Sequence, residues 1–193
     1  MPDTRKRLTR EQRLEQLLEV ARRLIAEEGS DALSLGRLAE AAGITKPTVY
    51  DHFGTREGLL TALYRDFEAR QNLLIDAAMA AGEASREGKA RAIADSYVDC
   101  VLAEGREIPG VLAALEGSPE LARLKRECQL EFLDKCRAVL APFAGTLSTA
   151  GLWGMLGAAD ALSGAAVAGE IEHGQARDEL FAVIVGLVSR NQQ

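Results

Sequence analysis

The sequence predicts an all-α protein of about nine helices, divided into a small N-terminal domain and a larger C-terminal one. Three observations predict this class. Apolar residues recur three and four positions apart along most of the chain, which is the spacing of one helix face. The 193 residues include only five prolines, whereas Ala, Leu, Glu and Arg, which favour helices, are abundant. Glycines and capping residues separate the apolar stretches.

The first predicted helix covers about residues 10–28. Thr9 and Gln12 fit a capping box, in which each side chain bonds to the backbone N–H of the other residue, and Gly29 ends the helix. Its apolar residues lie on one stripe: Leu14, Leu17, Leu18, Ala21, Leu24 and Ile25. We therefore expect one face of this helix to be buried.

Two short helices follow, joined by a tight turn. Ser34 caps the second helix, which ends at Gly43, and the third begins near Pro47, a residue that the first helical turn tolerates. Val49 and Phe53 are the third helix's core residues. A helix this short, with polar residues on its outer face, is poor core but suits a DNA groove.

The remaining helices make up the C-terminal domain. A long fourth helix is capped by Thr55 and continues to about residue 80. The later helices are predicted at about 89–104, from Pro109 to Gly117, and at about 119–140, 148–171 and 176–190. We place the boundary after residue 55, which gives domains 1–55 and 56–193. A membrane helix is rejected for 150–169, because this stretch is mostly Ala, Gly and Ser and has Asp160 at its middle.

The charge is unevenly distributed along the chain. Residues 1–60 carry ten basic and ten acidic side chains, so the net charge of -6 comes from the rest. Arg5–Arg7 and Arg10 form a basic tip, which fits either phosphate contact or a solubilising tail. As a DNA-contacting arm, Arg5 would enter a minor groove. The charged N-terminus has no apolar segment, so we predict no signal peptide and a cytoplasmic location.

Catalytic and metal-binding patterns are not recognisable in the sequence. Its two histidines, His52 and His173, show no triad-like grouping with Ser and acidic residues, and neither a phosphate loop nor metal-ligand spacing occurs. Cys100, Cys128 and Cys136 are odd in number and lack CxxC spacing, which indicates buried free thiols, with a redox switch as the alternative. We therefore predict no enzyme, no metal and no cofactor.

Residues 38–53 read LAEAAGITKPTVYDHF and are followed by Arg56-Glu57 and Leu59-Leu60. In these residues the chain resembles the TetR family of transcriptional regulators. The resemblance covers about the first 65 residues, whereas the C-terminal two thirds agree only in helix number and order. It implies a homodimeric helix-turn-helix repressor that binds double-stranded DNA at a palindromic operator and is released by a small-molecule effector.

The N-terminal end of the third helix supplies the candidate base contacts. In a helix-turn-helix, these residues of the second motif helix meet base edges in the major groove. Lys46 can donate to guanine, Thr48 can bond a base or a phosphate, and Pro47 can pack on a thymine methyl. The resemblance implies that Tyr50 and His52 face phosphates.

Further candidate contacts lie at the helix starts. Thr45 and Arg56 stand where backbone N–H groups favour phosphate. In some family members a base-reading side chain occurs at the position of Gly36. Glycine has no side chain, so Gly36 cannot read bases. Its neighbour Arg37 either contacts phosphate or pairs with Glu40.

The effector pocket implied by the resemblance would lie among helices five, seven and eight. Its candidate wall residues, which plain core packing would explain as well, are Tyr97, Cys100, Val101, Cys128, Phe132, Trp153 and Leu156. Nearby acidic residues either favour a cationic or polar ligand or belong to the solvated surface: Asp95, Asp99, Glu104 and Asp160.

The last two helices are the candidate dimer interface, since small residues on one and apolar residues on the other could build an intermolecular four-helix bundle. The candidates are Gly154, Ala158, Ala161 and Ala165, with Phe181, Ile184, Leu187 and Val188. Alternatively, both helices complete the monomer core. Two other functions remain open: a ligand carrier or enzyme with a vestigial helix-turn-helix, and a helical adaptor for another protein.

Overall fold

The computed structural model describes residues 8–104, 107–115 and 117–191, which contain helices and no strands. The helices are α1 (Arg10–Glu28), α2 (Leu35–Ala42), α3 (Lys46–Phe53), α4 (Arg56–Ala81), α5 (Arg86–Glu104), α6 (Glu107–Leu115), α7 (Pro119–Leu140), α8 (Thr149–Ala168) and α9 (His173–Ser189). Short 3₁₀ turns cover Ser30–Ala32 and Ala141–Phe143. The predicted all-α class is confirmed.

The described residues belong to two compact units. Unit 1 takes those within Met1–Phe67 and Arg106–Leu121, and unit 2 takes those within Glu68–Gly105 and Ala122–Gln193. The predicted boundary after residue 55 thus falls inside unit 1. The first half of α4 carries buried leucines, and a unit this small needs such apolar residues to form a core.

Unit 1 buries one apolar face from each of its first four helices. The fully buried leucines of these helices are Leu17 from α1, Leu38 from α2, and Leu59 and Leu60 from α4. Helix α6, which comes much later in the chain, packs on the 3₁₀ turn and on α1. A methyl group at Gly110 would lie 3.0 Å from Ser30 Oγ, so glycine permits this close approach.

Unit 2 is built around α5, α8 and α9, which pack on one another. A methyl group at Gly151 of α8 would lie 2.5 Å from Cδ1 of Leu187 in α9, so the two helices meet at this glycine. Arg91 of α5 bonds to Asp178 of α9 at 2.8 Å. The small residue at position 151 therefore serves contact within the chain.

Helix ends follow the predicted caps where the capping signal is local. The Thr9–Gln12 capping box is present, and Ser34 accepts a bond from the backbone N–H of residue 37. Helix α9 begins at His173, three residues before its predicted start, because Glu172 and Gln175 form a second capping box.

Helix α6 begins at Glu107, before Pro109, which therefore lies within the first turn rather than at its start. Helix α8 is capped by Ser148 and ends at Gly169, which has the left-handed φ of 75°. Among the helices of the described ranges, none has both the length and the apolarity that crossing a bilayer requires.

Candidate nucleic-acid interface

The turn between α2 and α3 is closed by backbone hydrogen bonds. Gly43 has the left-handed φ of 64°, and its N–H donates to the Glu40 carbonyl at 3.1 Å. The N–H of Ile44 donates to the Ala39 carbonyl at 3.1 Å, which completes a Schellman motif. Thr45 then has extended backbone, and α3 begins at the next residue. The two helices are thereby fixed in a helix-turn-helix arrangement.

Helix α3 has one buried and one exposed face. Val49 is 0% exposed and Phe53 8% exposed, so both anchor the helix in the core of unit 1. Lys46, Pro47 and Tyr50 are exposed, and the tyrosine ring keeps 52% of its accessible surface. A polar edge thus projects from a helix whose opposite side is held in place.

Two hydroxyl groups lie beside Lys46 at the start of this edge. Thr45 Oγ1 and Thr48 Oγ1 are 2.9 Å apart and share a hydrogen bond. Whichever hydroxyl donates, the other keeps its own hydrogen for an outside acceptor. Donors of this kind match the acceptors of base edges and phosphates.

An open cleft of about 650 Å³ lies between the N-terminal end of α1 and the exposed side of α3. Its lining residues are Leu8, Thr9, Arg10, Arg13, Thr48, Asp51 and His52. Arg13 is the residue that sequence reasoning missed, and its spacing of three from Arg10 within the first turn of α1 was the available signal. Two guanidinium groups beside α3 give this cleft the chemistry of a phosphate contact.

His52 is half-buried beside this cleft. Burial lowers the pKa of its imidazole below the ordinary value, and the positive charges of Arg10 and Arg13 lower it further, whereas Asp51 raises it. A neutral imidazole is therefore favoured in the DNA-free protein.

This shift predicts that acidification destabilises the protein through His52. A histidine whose pKa is lower in the folded chain binds its proton more tightly after unfolding. The stability from neutral His52 is therefore present above the unfolded value of 6.5 and is lost as the pH falls toward the folded pKa. Denaturant unfolding between about pH 7 and 5.5 measures this slope. We expect His52→Gln to flatten it and His173→Gln to leave it unchanged; equal slopes in the wild type and His52→Gln would contradict the prediction.

The side chain of Arg56, which was predicted to contact phosphate, forms hydrogen bonds within unit 1. Its Nε donates to the Leu33 carbonyl at 2.8 Å and its Nη2 to the Ser30 carbonyl at 2.7 Å. The half-buried guanidinium therefore bonds to the segment that connects α1 to α2. These bonds indicate a structural role for Arg56, and the predicted phosphate contact stays a prediction.

We expect Arg56→Ala to lower the free energy of unfolding by about 1.5–3 kcal/mol, because hydrogen bonds from a charged group to two carbonyls are lost. Urea denaturation measures the effect. Arg23→Ala, on the exposed surface of α1, is the matched control. Unchanged stability together with weaker DNA binding would restore the phosphate role.

Arg37 is also engaged within unit 1. Its Nε donates to Glu28 at 3.1 Å, and its Nη1 reaches Glu40 at 3.3 Å, the pairing predicted as an alternative to phosphate. This hydrogen bond from Arg37 lowers the pKa of Glu28. Arg5 lies outside the described residues.

Comparison with known proteins identifies the motif. The family model of bacterial regulatory proteins, tetR family, matches residues 17–63, which extend from α1 into α4 and contain the whole helix-turn-helix. Over these residues the chain matches the TetR family of bacterial regulatory proteins. The matched family consists of transcription regulators, which supports the prediction that the chain is not an enzyme.

Relatives of this chain include two named regulators. The transcriptional repressor AcnR of Corynebacterium glutamicum is 41% identical over 56 residues, which are 29% of this chain and 30% of the relative. The transcriptional regulator AcrR of Shigella flexneri is 38% identical over 48 residues, which are 25% of this chain and 22% of the relative. The chain thus matches less than a third of the length of these curated relatives.

Solved structures of the TetR fold extend over nearly the whole chain. A TetR-family transcriptional regulator from Streptomyces coelicolor has a TM-score of 0.73 at 20% identity, covering 93% of this chain and 95% of its own. A transcriptional regulator from Rhodococcus has a TM-score of 0.74 at 19% identity, covering 92% and 96%. At 20% and 19% identity, the similarity to these two structures shows a shared fold.

The effector-pocket candidates lie within or against the core of unit 2. Tyr97, Cys100, Phe132 and Leu156 are buried. The Tyr97 hydroxyl donates to Asp160 Oδ1 at 2.6 Å. The half-buried candidates are Val101, Cys128 and Trp153. The four buried side chains pack as core, so a wall role for them stays a prediction.

The charged candidates around this region are paired in part. Asp99 is bonded by Arg177, and Asp95 lies 3.6 Å from Arg91. The guanidinium of Arg126 lies 4.0 Å above the Trp153 ring, a cation–π contact. The side chain of Glu104 lies outside the described part of the chain.

Two of the three cysteines have the chemistry of structural thiols. Burial, followed by nearby glutamates, raises the pKa of Cys128 to about 11. Burial raises the pKa of Cys136 to about 12. Thiolate is therefore scarce at neutral pH, which favours the free-thiol interpretation of these two residues.

The dimer candidates divide by exposure. Gly154 and Ala161 are exposed, and the half-buried members of the set are Ala158, Ala165 and Phe181. Ile184, Leu187 and Val188 are at most 2% exposed and belong to the core of their own chain. The helical spacing was correct, but the face these three occupy is already covered by unit 2.

Proposed function

We propose that this TetR-family protein is a sequence-specific DNA-binding repressor that acts as a homodimer and is released by a small-molecule effector. The observation that carries the proposal is the exposed polar edge of α3 opposite buried Val49 and Phe53. This arrangement allows the helix to enter a major groove without loss of its support in the core.

In this proposal, α3 reads bases with its N-terminal end. Lys46 donates to guanine, Thr48 donates to a base or a phosphate, and Pro47 packs on a thymine methyl. Positions farther along α3 contact the sugar–phosphate backbone through Tyr50 and His52. Such contacts fix the register of the protein on the duplex.

The cleft beside α3 supports additional phosphate binding. Arg10 and Arg13 bring two positive charges to its wall, against one negative charge from Asp51. Although the whole chain has a net charge of -6, phosphate attraction acts over about one Debye length, roughly 8 Å at physiological salt. Local charge therefore outweighs the acidic remainder of the chain.

A row of small residues supports the proposed dimer. Five residues of α8 follow one another at intervals of three and four positions, and all are exposed: Gly154, Gly157, Ala161, Gly164 and Ala168. Such a row lets a second copy of the helix approach closely. Two α3 helices, one from each copy, would then bind successive major grooves about 34 Å apart on a palindrome.

Effector release requires coupling between ligand binding and DNA affinity. Helix α4 is one continuous helix whose residues belong to both units, which supports it as the coupling element. An effector that prefers the conformation with weaker DNA affinity would weaken operator binding by about 1–3 kcal/mol.

Selection of bound duplexes from a random pool tests the proposal. We expect a palindromic motif, with affinity that falls steeply as salt rises because several phosphates are neutralised. Failure to retain any duplex at low salt would contradict DNA binding and favour a ligand carrier. Small molecules are then screened for release of the selected duplex.

Lys46→Ala should weaken operator binding by about 1–3 kcal/mol and relax the preference at one base position. Tyr50→Phe is the matched comparison, because it removes a phosphate-facing hydroxyl and should weaken binding equally on all sequences. Competition binding against single-base operator variants measures both. An unchanged preference in Lys46→Ala would remove Lys46 from base reading.

A further inference from the structure

The space above Gly36 at the start of α2 is occupied by Lys46. A methyl group built on Gly36 would lie 3.7 Å from Cε of Lys46 and 3.9 Å from its Nζ. The next nearest atom, Ser34 Oγ, is 4.0 Å away. The end of the lysine side chain therefore lies across the first turn of the neighbouring helix.

Backbone conformation does not require glycine at this position. Gly36 lies inside a helix and is absent from the glycines of positive φ among the described residues. Glycine inside a helix lowers stability relative to alanine, because the unfolded chain loses more freedom. What glycine does provide at this position is space, because it has no side chain.

A methyl group fits in that space without displacing Lys46, whereas a longer side chain would displace it. A contact of 3.7 Å is ordinary van der Waals distance, whereas the Cγ and Cδ atoms of a longer side chain would extend toward the volume held by the lysine Cε and Nζ. Because Lys46 is exposed, it would move rather than resist. Its ammonium group would then approach DNA from another direction.

Neighbouring side chains do not compete for the space. The guanidinium of Arg37 bonds to Glu28 and Glu40, and Ser34 Oγ accepts a bond from the Arg37 backbone N–H at 3.1 Å. Residue 36 is therefore the position in α2 whose side chain would meet the ammonium group of Lys46.

We infer that Gly36 is a specificity-determining residue that acts by positioning Lys46, so that residues 36 and 46 read one base position as a unit. This inference rests on the proposed DNA-binding function. It concerns which base pair the protein prefers, whereas the proposed function concerns whether it binds duplex DNA with any preference.

The test is duplex selection with the wild type, Gly36→Leu, Lys46→Ala and the double variant. We expect Gly36→Leu to lose about 5- to 150-fold discrimination at the same base position as Lys46→Ala, and the double variant to lose no more than either. Ala41→Leu is the control, because it adds the same bulk to α2 about 140° around the helix from position 36. It should keep the wild-type preference.

Four outcomes decide the inference. Loss at the shared base position, without further loss in the double variant, supports it. A wild-type preference in Gly36→Leu, or a change at a base position that Lys46→Ala leaves intact, overturns it while DNA binding stands. Absence of any selected duplex with the wild type overturns both the inference and the proposed function. Duplex selection is also carried out with Gly36→Met. If Gly36→Leu lacks the helical circular dichroism of the wild type, the result with Gly36→Met decides the inference.

Discussion

Replacing Ala161 by arginine is expected to convert the proposed dimer into monomers and to weaken operator binding roughly 10²- to 10⁴-fold. Ala161 is the central member of the exposed row on α8. An arginine there adds volume and an unpaired charge to a face that two helices must approach closely. Each α3 would then bind its half-site alone, and the second contact would no longer be intramolecular.

Phe181 is a less informative position for this experiment. It is half-buried against its own chain, and the guanidinium of Arg91 lies 4.0 Å from the centre of its ring. A charge at this position would disturb unit 2 as well as a partner surface. Ala161, by contrast, is exposed.

Sedimentation and light scattering measure the mass of Ala161→Arg, and gel shift measures its operator affinity. Ala138→Arg is the matched control, because Ala138 is an exposed alanine on α7 of the same unit. It should keep the mass and affinity of the wild type. A dimer with unimpaired operator binding in Ala161→Arg would place the interface on another surface.

Leu38→Ala is expected to destabilise unit 1 by about 2–5 kcal/mol, the range for a fully buried leucine. Leu38 is 0% exposed and lies in α2, which packs on both α1 and α3. The loss comprises the transfer free energy of the removed atoms and the cavity that they leave. Because α2 supports α3, operator binding should also fall as the unfolded fraction rises.

Hydrogen exchange of the α1–α3 amides is the suitable measurement, because it reports the stability of a segment even if the two units unfold separately. Leu73→Ala is the control: Leu73 is 70% exposed, and its truncation should change stability by less than about 0.5 kcal/mol. Equal protection in Leu38→Ala and the control would show that the core of unit 1 is not organised around α2.

Local features of the fold were predictable from the sequence. The Thr9–Gln12 capping box, the Ser34 cap and the turn at Gly43 depend on residues within a few positions of each other. Their hydrogen bonds close over three or four residues, so the side chains that form them are adjacent in the sequence. The exposed edge of α3 follows from the same periodicity.

Contacts between distant segments were not predictable in this way. Arg56 bonds to carbonyls 23 and 26 residues away, and nothing in its own sequence surroundings distinguishes that role from phosphate contact. Likewise, helical spacing placed Ile184 and Leu187 on one apolar face but could not tell a partner's surface from the chain's own core. Both distinctions require the packing.

The contact of α6 with the 3₁₀ turn has a consequence for biosynthesis. Because the part of unit 1 within Arg106–Leu121 follows roughly forty residues that belong to the other unit, unit 1 cannot complete its packing when its first segment leaves the ribosome. Gly110, the residue that lies close to Ser30, must first be translated and leave the exit tunnel of the ribosome. We therefore expect a gene fragment that stops after α4 to encode an incompletely packed unit 1.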